Sequence, residues 1–303
     1  MVDIVVLGVF VADVTFRADR MPATGETILG HSFAIGPGGK GSNQAIAAAR
    51  AGGKGALITR VGRDDFAEMA FKTWANAGVD TRAVTRSDTQ TGAAGIMVNA
   101  QSGDNAIIIT PGAAAEISCA DVEAQAPLIT NAKVFITQLE QPIAAARRAL
   151  ELARAAGVTI ILNPAPAAPL DDDLLALCDI VTPNETEAHA LTGVHVHDAD
   201  SAEKACDVLM QKGVKIPVIT MGGQGAYLQG HGMVPAVNAG AVVDTTGAGD
   251  AFNAGFAVAL ARRDELEKAM RFGAAVAGLS VTKQGAASSM PDAGTIAAVM
   301  GAN

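Results

Sequence analysis

A glycine-rich turn that leads into an alanine-rich segment is the strongest chemical signal in the sequence. It reads Asp244-Thr245-Thr246-Gly247-Ala248-Gly249-Asp250, and a helix is predicted to follow it. The first amides of a helix have no partner within it, so they can bind an anion, and the helix dipole adds to the attraction. A carboxylate beside that anion is unfavourable unless it accepts a proton. We therefore predict that Asp250 is a base at an anion site, with simple capping of the helix as the alternative.

A second glycine-rich segment, Gly36-Pro37-Gly38-Gly39-Lys40-Gly41-Ser42-Asn43-Gln44, also opens a predicted helix. Glycines without a Cβ allow another molecule to approach the backbone closely. The segment is not a P-loop, because that motif needs serine or threonine after the lysine and a further glycine where Ala34 stands. It is predicted to be a ligand-binding loop of another kind.

Short apolar runs alternate with longer alanine-rich segments, and this alternation predicts the elements that position both loops. The predicted strands are Ile4–Leu7, Leu57–Val61, Val134–Thr137, Val158–Leu162, Ile180–Thr182 and Val218–Thr220. The predicted helices are Ser42–Ala51, Asp65–Ala77, Ile143–Ala156, Ala202–Lys212 and Asp250–Ala261. The pattern predicts a three-layer α/β fold, with a mostly parallel sheet flanked by helices. Ligands of such sheets bind beyond the carboxyl ends of the strands.

Two regions, at about residues 11–36 and 92–110, interrupt the alternation. They contain strand-like pieces at Asp13–Arg17, Glu26–Ile35, Gly95–Ala100 and Asn105–Thr110, the last two joined by Ser102-Gly103-Asp104. We predict that the pieces form one small β-sheet lid over the strand ends of a single domain that spans residues 1–303. The alternative is an ordinary extension of the main sheet at its edge.

Composition limits the location and the partners. The formal charge of −9 argues against nucleic acid or an anionic membrane surface as the main partner. Residues 1–8 lack the basic start and long apolar run of a signal peptide, and no apolar run is long enough to span a bilayer. Three cysteines without metal-type spacing fit free thiols in a reducing compartment. We expect a cytoplasmic protein.

Six motifs occur in an order that resembles the ribokinase-like (PfkB-type) carbohydrate kinase family. They are Gly25-Glu26-Thr27, Gly38–Gln44, Gln138-Leu139-Glu140, Asn163-Pro164-Ala165-Pro166-Ala167, Thr182-Pro183-Asn184-Glu185-Thr186-Glu187-Ala188 and Asp244–Phe252. The resemblance covers nearly the whole chain. It implies ATP-dependent phosphorylation of a sugar hydroxyl, with ribose converted to ribose 5-phosphate as the first expectation.

The resemblance also implies roles for individual residues. Asp250 would be the general base, and the amides of Gly247, Ala248 and Gly249 would stabilise charge on the transferred phosphoryl group. The sugar would be held by Val11, Asp13, Gly38, Gly39, Lys40, Asn43, Glu140 and Asp250. Carboxylate and amide side chains suit this task because each can make paired hydrogen bonds to a diol.

For ATP and Mg²⁺, the resemblance implies a nucleotide site formed by Asn184, Glu187, Thr220, Gly222, Gly223, Gly225 and Gly249. For a monovalent cation, K⁺, it implies the oxygens of Asp244, Thr246, Ser280, Lys283, Gly285 and Ser289. A hard cation prefers such oxygen ligands. Family members often pair their lids, so a homodimer is expected here.

One position departs from the family pattern. Ribokinases usually read Gly-Ser-x-Asn-x-Asp after the first strand, whereas this chain reads Gly8-Val9-Phe10-Val11-Ala12-Asp13 and has Val11 in place of the asparagine. The acceptor is therefore left open between ribose and another sugar, a sugar acid or a nucleoside. A nucleoside kinase would need lid aromatics to stack the base, and Phe10, Phe16 and Phe33 are the candidates. A non-catalytic sugar-binding regulator is the third alternative.

Overall fold

A computed structural model describes residues 2–302 of the chain, so Met1 and Asn303, at the ends of the predicted domain, lie outside the described residues. The strands are β1 (Ile4–Leu7), β2 (Val11–Ala18), β3 (Ser32–Gly38), β4 (Gly55–Val61), β5 (Val84–Arg86), β6 (Thr91–Asn99), β7 (Asn105–Gly112), β8 (Val134–Thr137), β9 (Thr159–Leu162), β10 (Ile180–Val181), β11 (Ile216–Thr220), β12 (Ala226–Leu228) and β13 (Gly232–Val234). The helices are α1 (Lys40–Arg50), α2 (Asp65–Ala77), α3 (Cys119–Ala124), α4 (Ala126–Thr130), α5 (Ile143–Ala155), α6 (Asp172–Leu175), α7 (Glu185–Thr192), α8 (Ala199–Gln211), α9 (Ala248–Ala261), α10 (Leu266–Ser280) and α11 (Ala293–Ala302).

The large sheet has the strand order β13-β12-β11-β10-β9-β8-β1-β4-β5. Its strands are parallel from β11 to β5, and β12 and β13 add an antiparallel hairpin at one edge. Strand β1 is buried on both faces, which explains its continuous apolar sequence. Ile4 and Val6 pack into the core with α1 and α9, whereas Val5 and Leu7 pack into the core with α5 and α8. The predicted three-layer arrangement is confirmed.

Helix α9 is buried along almost its whole length, because small residues let its neighbours approach closely. A Cβ added at Gly255 would lie 3.0 Å from the Cα of Gly273 on α10. Helix α1 packs on α9 in the same core. The first turns of α1 and α9, which follow the two glycine-rich segments, are thereby brought together.

The interrupting regions form a separate four-stranded sheet, with the order β3-β2-β6-β7, and do not extend the large one. Strand β2 runs parallel to β6 and antiparallel to β3. Because side chains alternate along β2, Val11 and Asp13 lie on one face, here called the Asp13 face, and Phe16 lies on the other, the Phe16 face. We call this element the small sheet.

The strand predicted at Glu26–Ile35 was wrong in its first half, since β3 begins only at Ser32. Glu26 accepts a hydrogen bond from the Ala23 amide at 2.9 Å and pairs with Arg20, which holds the chain in a turn. The short strand β5, the β12–β13 hairpin and several helices, α10 among them, were not predicted. Within residues 2–302 no helix is both long and apolar enough to cross a membrane.

Candidate active site

Asp250 lies in the first turn of α9, but it does not cap the helix. The N-cap residue is Gly247, whose φ of 79° lies in the left-handed region that favours glycine. A Cβ there would also lie 2.9 Å from the Cβ of Ala286. The carboxylate of Asp250 instead accepts hydrogen bonds from Asn43 Nδ2 at 2.9 Å and from Gln44 Nε2 at 3.0 Å. It is therefore free for a role other than capping.

The electrostatic setting of Asp250 is that of a buried acid with nearby compensation. Only 5% of the residue is exposed, and this burial raises the pKa of its carboxyl. The positive charge of Lys40 and the hydrogen bonds from Asn43 and Gln44 act in the opposite direction on the same pKa. A poorly solvated carboxylate with a raised pKa is a stronger proton acceptor than one in water.

The turn before α9 lines a cleft of about 670 Å³. Within residues 2–302 no hydrogen bond satisfies the amides of Gly247 and Gly249, so both can donate to an anion, whereas the amide of Ala248 donates to the Thr245 carbonyl at 3.1 Å. The space above Gly249 is open, since nothing lies within 4 Å of a Cβ built there. The anion site predicted at residues 247–249 thus has two available amides in this structure.

The segment Gly38–Asn43 forms a second half of the site beside Asp250. Gly39, with a φ of 87°, precedes α1, and the amide of Lys40 donates to Glu140 Oε2 at 2.8 Å. A Cβ at Gly38 would overlap the carboxylate of Asp13. The backbone of Gly38 therefore lies directly against the Asp13 side chain. The structure therefore brings together Asp13, Gly38, Gly39, Lys40, Asn43, Glu140 and Asp250.

Burial acts on the other two carboxylates of this half. It raises the pKa of Asp13 to about 6. Burial, reinforced by the charges of Asp250 and Asp13, raises the pKa of Glu140 to about 7 against the opposing effect of Lys40. Val11 precedes Asp13 on the same face of β2, is only 3% exposed and packs in the core with Val9 and Leu7.

All seven residues predicted to bind the nucleotide line the cleft: Asn184, Glu187, Thr220, Gly222, Gly223, Gly225 and Gly249. They come from the carboxyl ends of neighbouring strands β10 and β11 and from the first turns of α7 and α9. Gly222 and Gly223 leave open space above their backbone. Lys40 lines the same cleft, so it belongs to both halves of the site.

Asn184 and Glu187 form a reciprocal cap at the start of α7. Asn184 Oδ1 accepts from the Glu187 amide, and Glu187 Oε2 accepts from the Asn184 amide, both at 2.9 Å. Burial raises the pKa of Glu187, with Lys40 opposing it. Within the described residues no hydrogen bond reaches the second oxygen of this carboxylate, Oε1. Capping therefore leaves that oxygen available to a ligand.

Asp244 joins two of the segments predicted to hold a monovalent cation. Its Oδ1 accepts from the amide of Thr246 at 2.9 Å and from its hydroxyl at 2.7 Å, and its Oδ2 accepts from the Gly285 amide at 2.9 Å. Partial burial raises the pKa of Asp244, but these hydrogen bonds together lower it by more, so the net shift is downward. A carboxylate that is so readily ionised suits a cation.

The remaining predicted cation ligands lie on the same stretch of chain. The amide of Lys283 donates to the Ser280 carbonyl at 3.2 Å, and Ser289 is fully buried with its hydroxyl on the Ala286 carbonyl. Among residues 2–302 no hydrogen bond links Ser280, Lys283 or Ser289 to Asp244. The structure thus joins Asp244, Thr246 and Gly285 directly and places the others nearby in sequence.

Several buried polar residues of the site had no assigned role from sequence. Gln44, Gln138 and Asn163 each stand in one of the six family motifs, but the resemblance implies no role for them. Asn253 accepts from the Thr182 hydroxyl at 2.6 Å and donates to the Gly249 carbonyl at 2.9 Å, which ties α9 to β10. The cleft wall at residues 236–240 has no regular structure and no motif to signal it.

A large cleft at the edge of a mostly parallel sheet meets the buried carboxylate of Asp250 and the free amides of Gly247 and Gly249. These features fit an enzyme that transfers a phosphoryl group to a small alcohol. A sequence model described as pfkB family carbohydrate kinase matches residues 1–293, and the chain belongs to this family of ATP-dependent sugar kinases.

Individual relatives agree with this assignment. The ribokinase of Haemophilus influenzae is 42% identical over 289 residues, which cover 94% of this chain and 94% of that protein. The deoxyribokinase of Salmonella typhi is 37% identical over 294 residues, which cover 95% of each. The structure of Arabidopsis thaliana ribokinase complexed with ribose and ATP superposes with a TM-score of 0.92 and 32% identity, and covers 99% of each chain. The family and fold predicted from the motifs are confirmed.

Proposed function

We propose that this protein transfers the γ-phosphoryl group of ATP to the 5-hydroxyl of ribose and forms ribose 5-phosphate. The observation that carries the proposal is the position of Asp250, which lies where the cleft meets the Gly38–Asn43 segment and accepts amide hydrogen bonds on both oxygens. The similarity to a ribokinase complexed with ribose and ATP supports ribose as the acceptor.

In this mechanism the sugar hydroxyl donates a hydrogen bond to Asp250, which takes the proton as the hydroxyl oxygen bonds to the γ-phosphorus. The bond between that phosphorus and the β–γ bridging oxygen breaks, and ADP leaves. Charge that develops on the transferred group is stabilised by the amides of Gly247 and Gly249. Lys40, whose charge acts on Asp250, Glu140 and Glu187, balances the negative charge of the site. Phosphoryl transfer depends mainly on positioning and charge stabilisation, which these groups supply.

The sugar would be held on its other hydroxyls by Asp13, Glu140 and Asn43. Asn43 Oδ1 is buried without a hydrogen-bond partner among the described residues, so it can accept from a sugar hydroxyl. A buried acceptor without a hydrogen bond costs about 1–3 kcal/mol, and a ligand that donates to it recovers that free energy. This unpaired oxygen favours a polar ligand beside Asp250.

Mg²⁺ fits the nucleotide cleft as a companion of ATP. The free Oε1 of Glu187 can contact it directly or through water, and within residues 2–302 no cluster of three or more metal-ligating side chains exists that would bind it alone. Bound Mg²⁺ would neutralise charge on the β- and γ-phosphates. This cation usually takes most of its ligands from phosphates and water, which agrees with a single carboxylate.

K⁺ fits the segment around Asp244 by the chemistry of the donors. Hydrogen bonds lower the pKa of Asp244 and favour its ionised form, and the hydroxyl of Thr246 lies beside it. Ser280, Lys283, Gly285 and Ser289 would supply further oxygens. A bound cation there would hold the 244–246 segment, and with it the amides of Gly247 and Gly249, in a fixed position.

A second candidate acceptor is 2-deoxyribose. Val11 presents methyl groups where ribokinases usually have an asparagine, and a deoxyribokinase is among the relatives. A nucleoside acceptor is less favoured by the positions of the aromatics. Phe10 is fully buried against Trp74, and Phe16 stacks on Phe33 on the face opposite Asp13, so none of the candidate rings faces the sugar residues.

The small sheet is proposed to pair with that of a second copy. Phe33 and Ile108 on its Phe16 face are 68% and 79% exposed, and Ile107 on its Asp13 face is 55% exposed. A sheet with apolar side chains exposed on both faces is unusual in a monomer. Light scattering at micromolar concentration is expected to give the mass of a dimer, and a monomer would exclude this pairing.

We place the enzyme in the cytoplasm, where ATP is available. Its three cysteines, Cys119, Cys178 and Cys206, are free thiols in the structure. Their state in the cell is measurable by thiol labelling of a fresh lysate, and disulfide-linked protein there would contradict the assignment.

The experiment that tests the function is an ADP-release assay with ATP and Mg²⁺ across ribose, 2-deoxyribose, fructose and adenosine, with ³¹P NMR of the product. Ribose is expected to give the highest kcat/KM and a 5-phosphate. A higher kcat/KM for 2-deoxyribose would select the second candidate. Absence of ADP release with every acceptor would contradict a kinase and support a binding protein.

A further inference from the structure

Two glutamines connect Asp250 to the large sheet through a chain of hydrogen bonds. Gln138 Nε2 donates to Gln44 Oε1 at 2.6 Å, and Gln44 Nε2 donates to Asp250 Oδ1 at 3.0 Å and to Asn163 Oδ1 at 3.1 Å. We infer that Gln44 is a positioning residue that aims the carboxylate of Asp250 at the sugar hydroxyl, and that Gln138 fixes the orientation of Gln44. The inference rests on the proposed role of Asp250 as the base.

Gln44 acts through Asp250 and not on the substrate. It is fully buried, and both ends of its amide are engaged within the protein, since Nε2 donates to Asp250 and Asn163 and Oε1 accepts from Gln138. Its neighbour Asn43 holds the other oxygen of the carboxylate, so two successive side chains of α1 each grip one oxygen. With both oxygens held, the carboxylate cannot rotate about its Cβ–Cγ bond without breaking a hydrogen bond.

Gln138 matters because a primary amide has two ends of opposite character. If Gln44 turned over, its carbonyl would face the carboxylate of Asp250 and repel it. The N–H of Gln138 prevents this turn, since it requires an acceptor opposite it. Gln138 is itself confined, because a Cβ at Gly8 would overlap its Oε1, and a Cβ at Gly41 would overlap the Cα of Gly8. Because Gly8 and Gly41 have no Cβ, there is just enough space for the Gln138 amide.

The same bonds bear on the charge of Asp250. Burial raises its pKa, and the N–H groups of Asn43 and Gln44 favour the ionised form. The other charged groups that act on Asp250 or respond to it are Lys40, Glu140 and Glu187. Replacement of Gln44 leaves all three in place, so a change in titration can be assigned to the lost amide.

The test compares Gln44→Met with Gln229→Met, which removes an amide of the same kind from the carboxylate of Asp207, 2.9 Å away and outside the site. We expect the acid limb of the kcat–pH profile of Gln44→Met to move upward by about 1 pH unit, because the ionised base loses one of its two donors. The KM for ribose should stay within about twofold of the wild type, since Gln44 does not touch substrate. Gln229→Met should keep the wild-type profile.

Gln138→Met provides a second variant if Gln44→Met does not fold. It should move the acid limb in the same direction by a smaller amount. Gln44 keeps its place in this variant but loses the hydrogen bond from Gln138 that fixes the orientation of its amide. An acid limb that coincides with the wild type in both variants, or a raised ribose KM with an unchanged profile, would overturn the inference. Asp250→Asn separates the two levels of the argument: if it retains turnover, the proposed base is wrong, and if it is inactive while Gln44→Met titrates as the wild type, only the positioning role fails.

Discussion

Asn43 and Asp250 are 207 positions apart in the chain, yet Nδ2 of the first lies 2.9 Å from Oδ2 of the second. Asn43 belongs to the segment that is proposed to hold the sugar, and Asp250 follows the amides that are proposed to hold the phosphoryl group. One hydrogen bond therefore joins the two halves of the site. The helices α1 and α9 that carry them also share one core, so the base and the sugar segment are positioned together.

Gly249→Ala is expected to separate folding from catalysis. Nothing lies within 4 Å of a Cβ built at this residue, and alanine is favoured over glycine in a helix by about 0.5–1 kcal/mol, so the unfolding temperature should not fall. Turnover should drop by about tenfold or more, because the methyl group would displace the phosphates that the cleft receives. Gly247→Ala is the matched control and should destabilise the fold as well, since φ there is 79°. Wild-type turnover in Gly249→Ala would remove this turn from the phosphate site.

The sequence pointed to the segments that meet at Asp250 and the cleft, because the residues of each segment are neighbours in the chain. The Asp244–Asp250 turn, the Gly38–Asn43 segment and the Asn184–Glu187 pair were each found from glycine spacing or family motifs. The short apolar runs also predicted the central strands to within a few residues. These features depend on local backbone geometry and periodicity, which sequence carries directly.

The parts that were not predicted depend on contacts between distant segments. Gln44 stands in an alanine-rich helix, and only the packing of α1 on α9 turns its amide into a partner of Asp250. The strand predicted at Glu26–Ile35 failed because the pair between Arg20 and Glu26 holds a turn that β-propensity does not reveal. The cleft wall at residues 236–240 is irregular backbone, for which no periodicity exists.

Glu140→Gln should make the ligand-free protein more stable at alkaline pH. Burial raises the pKa of Glu140 from its ordinary 4.5 to about 7, so its contribution to stability is fully present below pH 4.5 and is lost as pH rises through 7. Glutamine does not ionise and can still accept from the Lys40 amide, so the free energy of unfolding should exceed that of the wild type by about 1–3 kcal/mol at pH 8.5. Urea titrations at pH 5.5 and 8.5 measure the difference. A gain of the same size at both values would show that ionisation of Glu140 is not its cause.

K⁺ is expected to increase turnover or substrate affinity, because a cation beside Asp244 would order the turn that presents the Gly247 and Gly249 amides. The comparison is with tetramethylammonium at the same ionic strength. Asp244→Asn should reduce the difference between the two salts, since its carboxylate holds both Thr246 and Gly285. Equal rates of the wild type in the two salts would exclude a functional cation site.

Val11→Asn tests the basis of sugar preference. Val11 and Asp13 share a face of β2, so an asparagine at residue 11 would point toward the sugar. The KM for ribose should fall by up to about tenfold, while kcat should hardly change, because the contact is made equally in the ground and transition states. Val14→Asn, on the opposite face, is the matched control. Unchanged ribose kinetics in Val11→Asn would show that residue 11 does not contribute to the pocket and would weaken the case for 2-deoxyribose.

The central claim is that Asp250 accepts the proton of the sugar hydroxyl, and Asp250→Asn tests it most directly. Asparagine keeps the size of the side chain but cannot serve as the base. Ribose-dependent ADP formation and the dissociation constant for ATP should be measured on the same preparation. Turnover is predicted to fall by a factor of about 10² to 10⁴ while ATP affinity stays close to that of the wild type. Turnover within a few-fold of the wild type, with ATP bound normally, would contradict the account.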